Sequence, residues 1–224
     1  MRAALLIIVG SMAIPAGAGE LENARDAQDR PALDRLAAKY AAAEGKDAAA
    51  QYRAALAQSY VAEVAIETGD KNKARAAAEA GIQAAQRAVA ASPESAEYHR
   101  LLGTVCGQVI PANVIAGMKW GNCAKDEVEK AVQMDPKSAL NYVSRGVGFY
   151  YLPPLFGGGV DKAIQDFEKA VALNPKLDEA HLWLGIALRK ANRNAEAHRE
   201  LQKAVELNPA RVWSKNQLAK TPGQ

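Results

Sequence analysis

Residues 178–209, Asp178 to Pro209, read DEAHLWLGIALRKANRNAEAHRELQKAVELNP, and their pattern decides the fold. Trp183, Leu184, Ile186 and Leu188 recur at helical spacing before a polar break at Asn192 to Asn194. Ala197, Leu201, Ala204, Val205 and Leu207 then recur in the same way until Asn208 and Pro209 end the series. Two amphipathic helices joined by a short polar break form a helix hairpin. From Pro175 to Pro209 the unit repeats over 34 residues, the period of a helix-turn-helix module that buries its apolar face only by stacking on copies of itself.

The unit resembles the tetratricopeptide repeat (TPR) family. That family places a small residue where its two helices touch, which is Gly185 here, and alanines at positions matched by Ala197 and Ala204. It places a large apolar residue where Leu201 stands and a closing proline where Pro209 stands. The family's usual tryptophan is replaced by His181, with Trp183 two residues on. The resemblance implies an all-α, TPR-type α-solenoid of antiparallel helix hairpins, capped by the short segment around Val212, Trp213 and Leu218.

Two further repeats are read upstream, from Pro93 to Pro136 and from Pro136 to Pro175, spaced by 43 and 39 residues. Gly103 and Gly146 take the small position, Ala124 and Ala163 the first alanine, Ala131 and Ala170 the second, and Val128 and Phe167 the large apolar one. Arg145 stands where an apolar residue is expected. The excess lengths are assigned to insertions between paired helices, at about 107–122, with Trp120, and at 152–159, with Phe156. Such insertions line one edge of a stacked array and commonly mark a binding face; folding back to cap a gap in the stack is the alternative. Before Pro93 the chain reads as a degenerate repeat over 31–92, with helices broken near Gly45 and Gly69, preceded by a polar linker at 19–30.

The 224 residues are about half apolar, poor in aromatic side chains and rich in Ala, and carry a formal charge of only +3. The charges are interspersed, which argues against a nucleic-acid surface or a trap for acidic substrates. Residues 1–18 read as a secretory signal peptide: Arg2, a short apolar run from Ala3 to Ile14, Pro15, then a small-residue cleavage pattern ending at Ala18. The run is too short to span a bilayer, and no later stretch approaches that length. The expectation is a periplasmic or secreted protein without stable membrane insertion. With the two cysteines of an exported chain, the TPR register also brings Cys106 and Cys123 together across a hairpin, which implies a disulfide.

No motif for catalysis is found, no cofactor is expected, and metal binding lacks ligand spacing. His99 and His181 share an equivalent position with Tyr142, which implies packing. Gly157, Gly158 and Gly159 lack the rest of a phosphate loop and read as a tight connection. In the TPR family the concave groove is lined by the first helix of each hairpin, which gives Glu97, Arg100 and Thr104, then Leu140, Val143, Val147, Tyr150 and Tyr151, then Glu179, Leu182, Ile186, Arg189 and Lys190. The basic positions of chaperone-tail-binding members are largely absent. The expected function is therefore a scaffold or adaptor that binds a protein or peptide through Val143, Val147, Tyr150, Tyr151, Arg189 and Lys190, together with Trp120 and Phe156 on the insertions. A small-molecule carrier associated with a solute transporter is the alternative, and oligomerisation stays open.

Overall fold

The computed structural model describes residues 18–43, 47–110 and 114–223, and all regular structure among them is helical. In order these are α1 Ala18–Asp26, α2 Arg30–Ala42, α3 Ala48–Glu67, α4 Lys71–Ala91, α5 Ala96–Val109, α6 Val114–Met134, α7 Ala139–Tyr151, α8 Val160–Leu173, α9 Asp178–Lys190, α10 Asn194–Leu207 and α11 Val212–Ala219. Consecutive helices pair as α1/α2, α3/α4, α5/α6, α7/α8 and α9/α10, and each odd-numbered helix also touches the next, as in a TPR solenoid. The expected signal peptide falls almost entirely outside the described residues.

Sequence sets the helix ends. Asp29, Asp47, Asp70 and Ser95 each stand just before a helix and accept a hydrogen bond from the backbone N–H three residues on, at Ala32, Ala50, Lys73 and Tyr98. Left-handed residues turn the chain between paired helices, Gly69 before α4 and Asn192 before α10. A proline follows the last residue after α4, α6, α8 and α10 and prevents continuation.

The N-terminal part differs from the expected linker and single degenerate repeat. Residues 18–26 form α1, which buries Leu21 and Ala24 in the core shared by α1 to α5. One leucine and one alanine on a common face suffice here because the facing helices are alanine-rich and approach closely. The region therefore holds two hairpins, and the late Pro93 is explained by the length of α3 and α4, 20 and 21 residues.

The insertions resolve differently from each other. The first is not an open loop: α6 starts at Val114 and absorbs it, so that Trp120, Cys123 and Ala124 pack on the core around Leu101, Val105 and Val109. The second is a tight turn. Pro153 and Pro154 stop α7, a single 3-10 turn covers Pro154–Phe156, and Gly157 and Gly159 take positive φ. Gly158 and Gly159 donate backbone N–H bonds to Pro153 and Phe149, and a Cβ on Gly158 would lie 2.0 Å from the Leu152 carbonyl oxygen. The three glycines are thus demanded by the turn itself.

Arg145 keeps its helix packed in spite of its charge. Its guanidinium makes two bonds to Asp166, of 2.8 and 2.9 Å, and one of 3.1 Å to Glu129, and it lies over the rings of Tyr142 and Phe149. Asp166 is equivalent to Glu127 and Glu200 in the flanking repeats, and those two face His99 and His181. Where histidine gives way to Tyr142, the carboxylate takes Arg145 instead. Each of His99, Tyr142 and His181 also meets the carbonyl of the preceding repeat's closing proline, Pro93, Pro136 or Pro175. His181 therefore has acceptors on both ring nitrogens, and the hydrogen bond to Glu200 holds its pKa above the usual histidine value.

Thr221, beyond α11, is docked on the last hairpin. Thr221 is buried, accepts from Arg189 through its hydroxyl and receives His198 Nδ1 on its carbonyl at 2.8 Å. Polar anchoring of this kind fixes Thr221 although the residues around it carry no apolar pattern.

Candidate functional site

The odd-numbered helices line the concave face, and its centre is filled by side chains of the chain itself. Arg100 on α5 grips Glu97 with bonds of 2.5 and 2.7 Å and reaches Ser144 on α7, which Thr104 also contacts. Tyr52 on α3 donates its hydroxyl hydrogen bond to Glu97 at 2.7 Å, and Ser59 bonds Gln108. Burial would raise the Glu97 pKa, but the adjoining Arg100 outweighs it and holds the carboxyl below its ordinary value. The groove expected at these positions is thus a satisfied polar network, and Arg100 has no free fork to offer a ligand.

The two ends of the array meet across this face. Arg211, directly before α11, has a side chain only 3% exposed. It bonds Glu63 at 2.6 Å, Glu67, and the carbonyl of Arg25, with Asp26 at 3.8 Å. Asn208 bonds Asp26 and Asp178, and Arg25 lies 4.0 Å from Glu179. Burial first, and Glu63 second, push the Glu67 pKa up to about 8 against the pull of Arg211, and the same two causes raise Glu179.

The expected partner-binding residues divide into three groups. Val143 is buried in the core of α7 to α10 with Val147 packed beside it, so Val143 presents no surface to a partner. Arg189 is held by the cap: it bonds the Gln217 carbonyl at 3.1 Å, the Gln217 side chain at 2.6 Å and Thr221 at 2.7 Å. Trp120 packs on the first core, under Lys119, and belongs with α5 and α6 rather than with the tyrosines.

In the third group Tyr150, Tyr151 and Lys190 come together at Trp183, at the end of α7, and Phe156 lies on the turn that follows. Trp183 stands between Tyr150, Tyr151, Phe167 and Trp213, with ring centroids at 5.9, 6.3, 6.1 and 5.2 Å. Lys190 Nζ sits 4.1 Å from the centroid of Tyr150 and donates to the Tyr150 carbonyl at 3.0 Å. On the solvent side of this cluster Tyr151 is 53% exposed, Phe156 69% and Leu155 88%. Lys162 borders the turn, bonding the Gly157 carbonyl at 2.8 Å. Tyr151, Leu155 and Phe156 are thus large apolar side chains left in solvent within six residues of chain.

Sequence profiles match the chain in two adjoining blocks. Residues 16–152 match the regulator of microtubule dynamics protein 1-3, and residues 158–216 match the tetratricopeptide repeat. The first block covers more than half of the chain. The chain belongs to the regulator of microtubule dynamics protein 1-3 family. In this member the boundary between the two blocks falls in the Pro153–Gly157 turn, beside the exposed cluster.

Regulator of microtubule dynamics protein 3 of Bos taurus is 25% identical over 173 residues, which are 70% of this chain and 36% of that protein. The small glutamine-rich tetratricopeptide repeat-containing protein 2 of Mycosarcoma maydis is 33% identical over 95 residues, 42% of this chain and 26% of that protein. The chain thus spans about a third or less of these relatives. Among solved structures, the HusA haemophore of Porphyromonas gingivalis superposes with a TM-score of 0.59 at 21% identity, over 78% of this chain and 96% of that one. The TPR protein TTC0263 of Thermus thermophilus gives 0.54 at 22%, over 89% and 99%. Both likenesses bear on the fold alone.

The sequence reading missed Arg211, Glu63 and Glu67, as well as Leu155 and the centring role of Trp183. Glu63 and Glu67 stand four apart on α3, a spacing that places two like charges on one face and disfavours the helix unless a cation meets them. That was the available signal for Arg211.

Proposed function

We propose that the protein is a scaffold that holds a segment of another polypeptide on the edge formed by Tyr151, Leu155 and Phe156, with Tyr150, Trp183 and Lys190 behind them. The TPR-type fold is a protein-interaction class. The observation that carries the choice of surface is the exposure of three large apolar side chains in one short turn and its flank, backed by an ordered aromatic cluster. Such a cluster offers rigid area at little conformational cost, which suits an anchor. The polar filling at the centre of the concave face disfavours the carrier reading, which needs an enclosed apolar chamber. The regulation named for the relatives belongs to proteins of which this chain spans only a part, and it is not transferred.

Photo-crosslinking from position 151 in the native compartment, followed by mass spectrometry, identifies the bound segment. Leu155→Ser with Phe156→Ser is then expected to weaken its binding about 30-fold, the equivalent of about 2 kcal/mol for a hot-spot anchor. Because both side chains are exposed, the melting temperature should stay within the range of ordinary surface changes. Unchanged affinity in that double variant rejects the edge as the binding surface. Tyr150→Ala differs from these, since its ring packs on Trp183 and its loss lowers stability as well.

We place this activity outside the cytoplasm. The amino-terminal sequence reads as an export signal, and the Cys106–Cys123 bridge suits an oxidising compartment. Sequencing of the mature chain should begin at Gly19, within the first turn of α1. A mature chain that retains Met1 contradicts export by cleavage.

A further inference from the structure

Most neighbouring helix pairs in this array share an apolar core; the α5/α6 pair meets α7 through polar contacts as well, such as Arg100 and Thr104 with Ser144. One cluster of buried side chains runs through α1 to α5 and another through α7 to α10, with a small third one beneath α11. The junction between the first and last pairs has no apolar cluster across it among the described residues and is made by charged and hydrogen-bonding side chains. It consists of Arg25 with Glu179, Asp26 with Asn208 and Arg211, and Arg211 with Glu63, Glu67 and the Arg25 carbonyl. These partners are separated by 144 to 186 residues of sequence in the Arg211 contacts, so they report the closure of the whole array rather than local packing.

We propose that the Asn208–Arg211 turn is a latch: by gripping α1 and α3 it holds the two ends of the array together over the concave face, and its release opens that face. This goes beyond the edge-binding reading and does not depend on it. A junction made of side-chain charge and hydrogen bonding can part while each helix hairpin keeps its own core. Removing the latch exposes the faces that carry Tyr52, Glu97 and Arg100, which are otherwise enclosed by their own network.

The composition of the latch ties its state to protons. Facing Arg211 and Glu67 are Arg25 and Asp26 from α1, Gln28 from the α1–α2 connection, Glu63 from α3, Asp178 and Glu179 from α9, and Asn208 from the α10–α11 turn. Around Arg211 and Arg25, the carboxyls of Asp26, Glu63, Glu67 and Glu179 outnumber the two guanidiniums. A proton on Glu67 reduces that excess. Burial and Glu63 raise the folded pKa of Glu67 above its unfolded value, so the stabilisation is complete at acid pH and is lost as pH rises through about 8. Acid therefore biases the array toward the closed state, and that bias declines from the ordinary carboxylate range up to about 8.

The test uses the full mature chain with Asn23→Cys and Asn216→Cys, both exposed, labelled with nitroxides while the native bridge stays oxidised. Pulsed electron resonance should give one short distance at pH 6.5 and a growing long-distance population by pH 9. Glu67→Gln should keep the short distance at both pH values, and Arg211→Ala should show the long one at pH 6.5 with helical content retained. If Arg211→Ala fails to fold, Arg211→Lys, which keeps the charge but loses the fork, should shift the opening to lower pH. A distance that is the same in the parent at both pH values and in Arg211→Lys shows a static seam and overturns the proposal. An unchanged opening profile in Glu67→Gln overturns the assigned proton.

Discussion

Leucine at Gly146 or Gly185 lowers the melting temperature by roughly 3–10 °C, the expected consequence of overpacking by about 1–3 kcal/mol in an array of this size. At both positions two helices of a hairpin cross with no room for even a methyl group. A Cβ on Gly146 would lie 2.5 Å from Phe167 Cε1 and 2.8 Å from its Cδ1; one on Gly185 would lie 2.5 Å from Leu201 Cγ and 3.0 Å from the Ala197 carbonyl oxygen. The obstruction at Gly185 includes backbone, which cannot turn aside by a rotamer change, so α9 and α10 must separate. Phe167 is fully buried and has no empty space into which to rotate.

Gly148 provides the matching control. It lies on the same helix as Gly146, two residues on, but is exposed, and a Cβ there would meet nothing within 4 Å. Gly148→Ala should therefore raise stability by about 0.5–1 kcal/mol through helix propensity. Thermal unfolding followed by circular dichroism separates the two cases. Equal effects at positions 146 and 148 would show that close approach of the helices is not what selects glycine.

Gly146 and Gly185 were legible in the sequence because a helix hairpin imposes a local rule, a small residue at the eighth position of its first helix. The same locality made the α9/α10 hairpin and the α11 cap readable. It failed where the partner lies far along the chain. Arg189 has the spacing of a concave residue, and only the path of the chain beyond Pro209 turns it toward Gln217 and Thr221. Arg211 and Glu67 are 144 residues apart, and nothing in either repeat shows that the curvature brings them together. The 19–30 segment was misread for a related reason: its few apolar residues look insufficient until α2 and α3 present them with a surface rich in alanine. Tyr150 and Tyr151 were readable as groove positions, and Tyr150 is half-buried on Trp183 while Tyr151 is exposed, whereas Leu155 became notable only once Pro153 and Pro154 were seen to end α7 before it.

Removal of the Cys106–Cys123 bridge should cost about 3 kcal/mol, because it releases the chain between two cysteines 17 residues apart that now closes a loop in the unfolded state. The bridge joins α5 to α6 with 6.0 Å between the Cα atoms, and Cys106 is fully buried among Leu101, Leu102, Val105 and Val109. Alanine is the better replacement at position 106, since the hydroxyl of serine would be desolvated there without a partner. Cys106→Ala with Cys123→Ala, and the parent protein under a strong reductant, should then show similar losses in denaturant midpoint, with a slope at least as steep because the unfolded chain is freed to expand. The consequence is largest in α6, whose first turns extend past the core and whose Met118 projects into solvent. Hydrogen exchange should accordingly quicken first over residues 114–123 on reduction, while α9 and α10 stay protected. A reduced protein with the parent midpoint would show that the α5–α6 packing alone fixes this hairpin and that the bridge adds nothing to its stability.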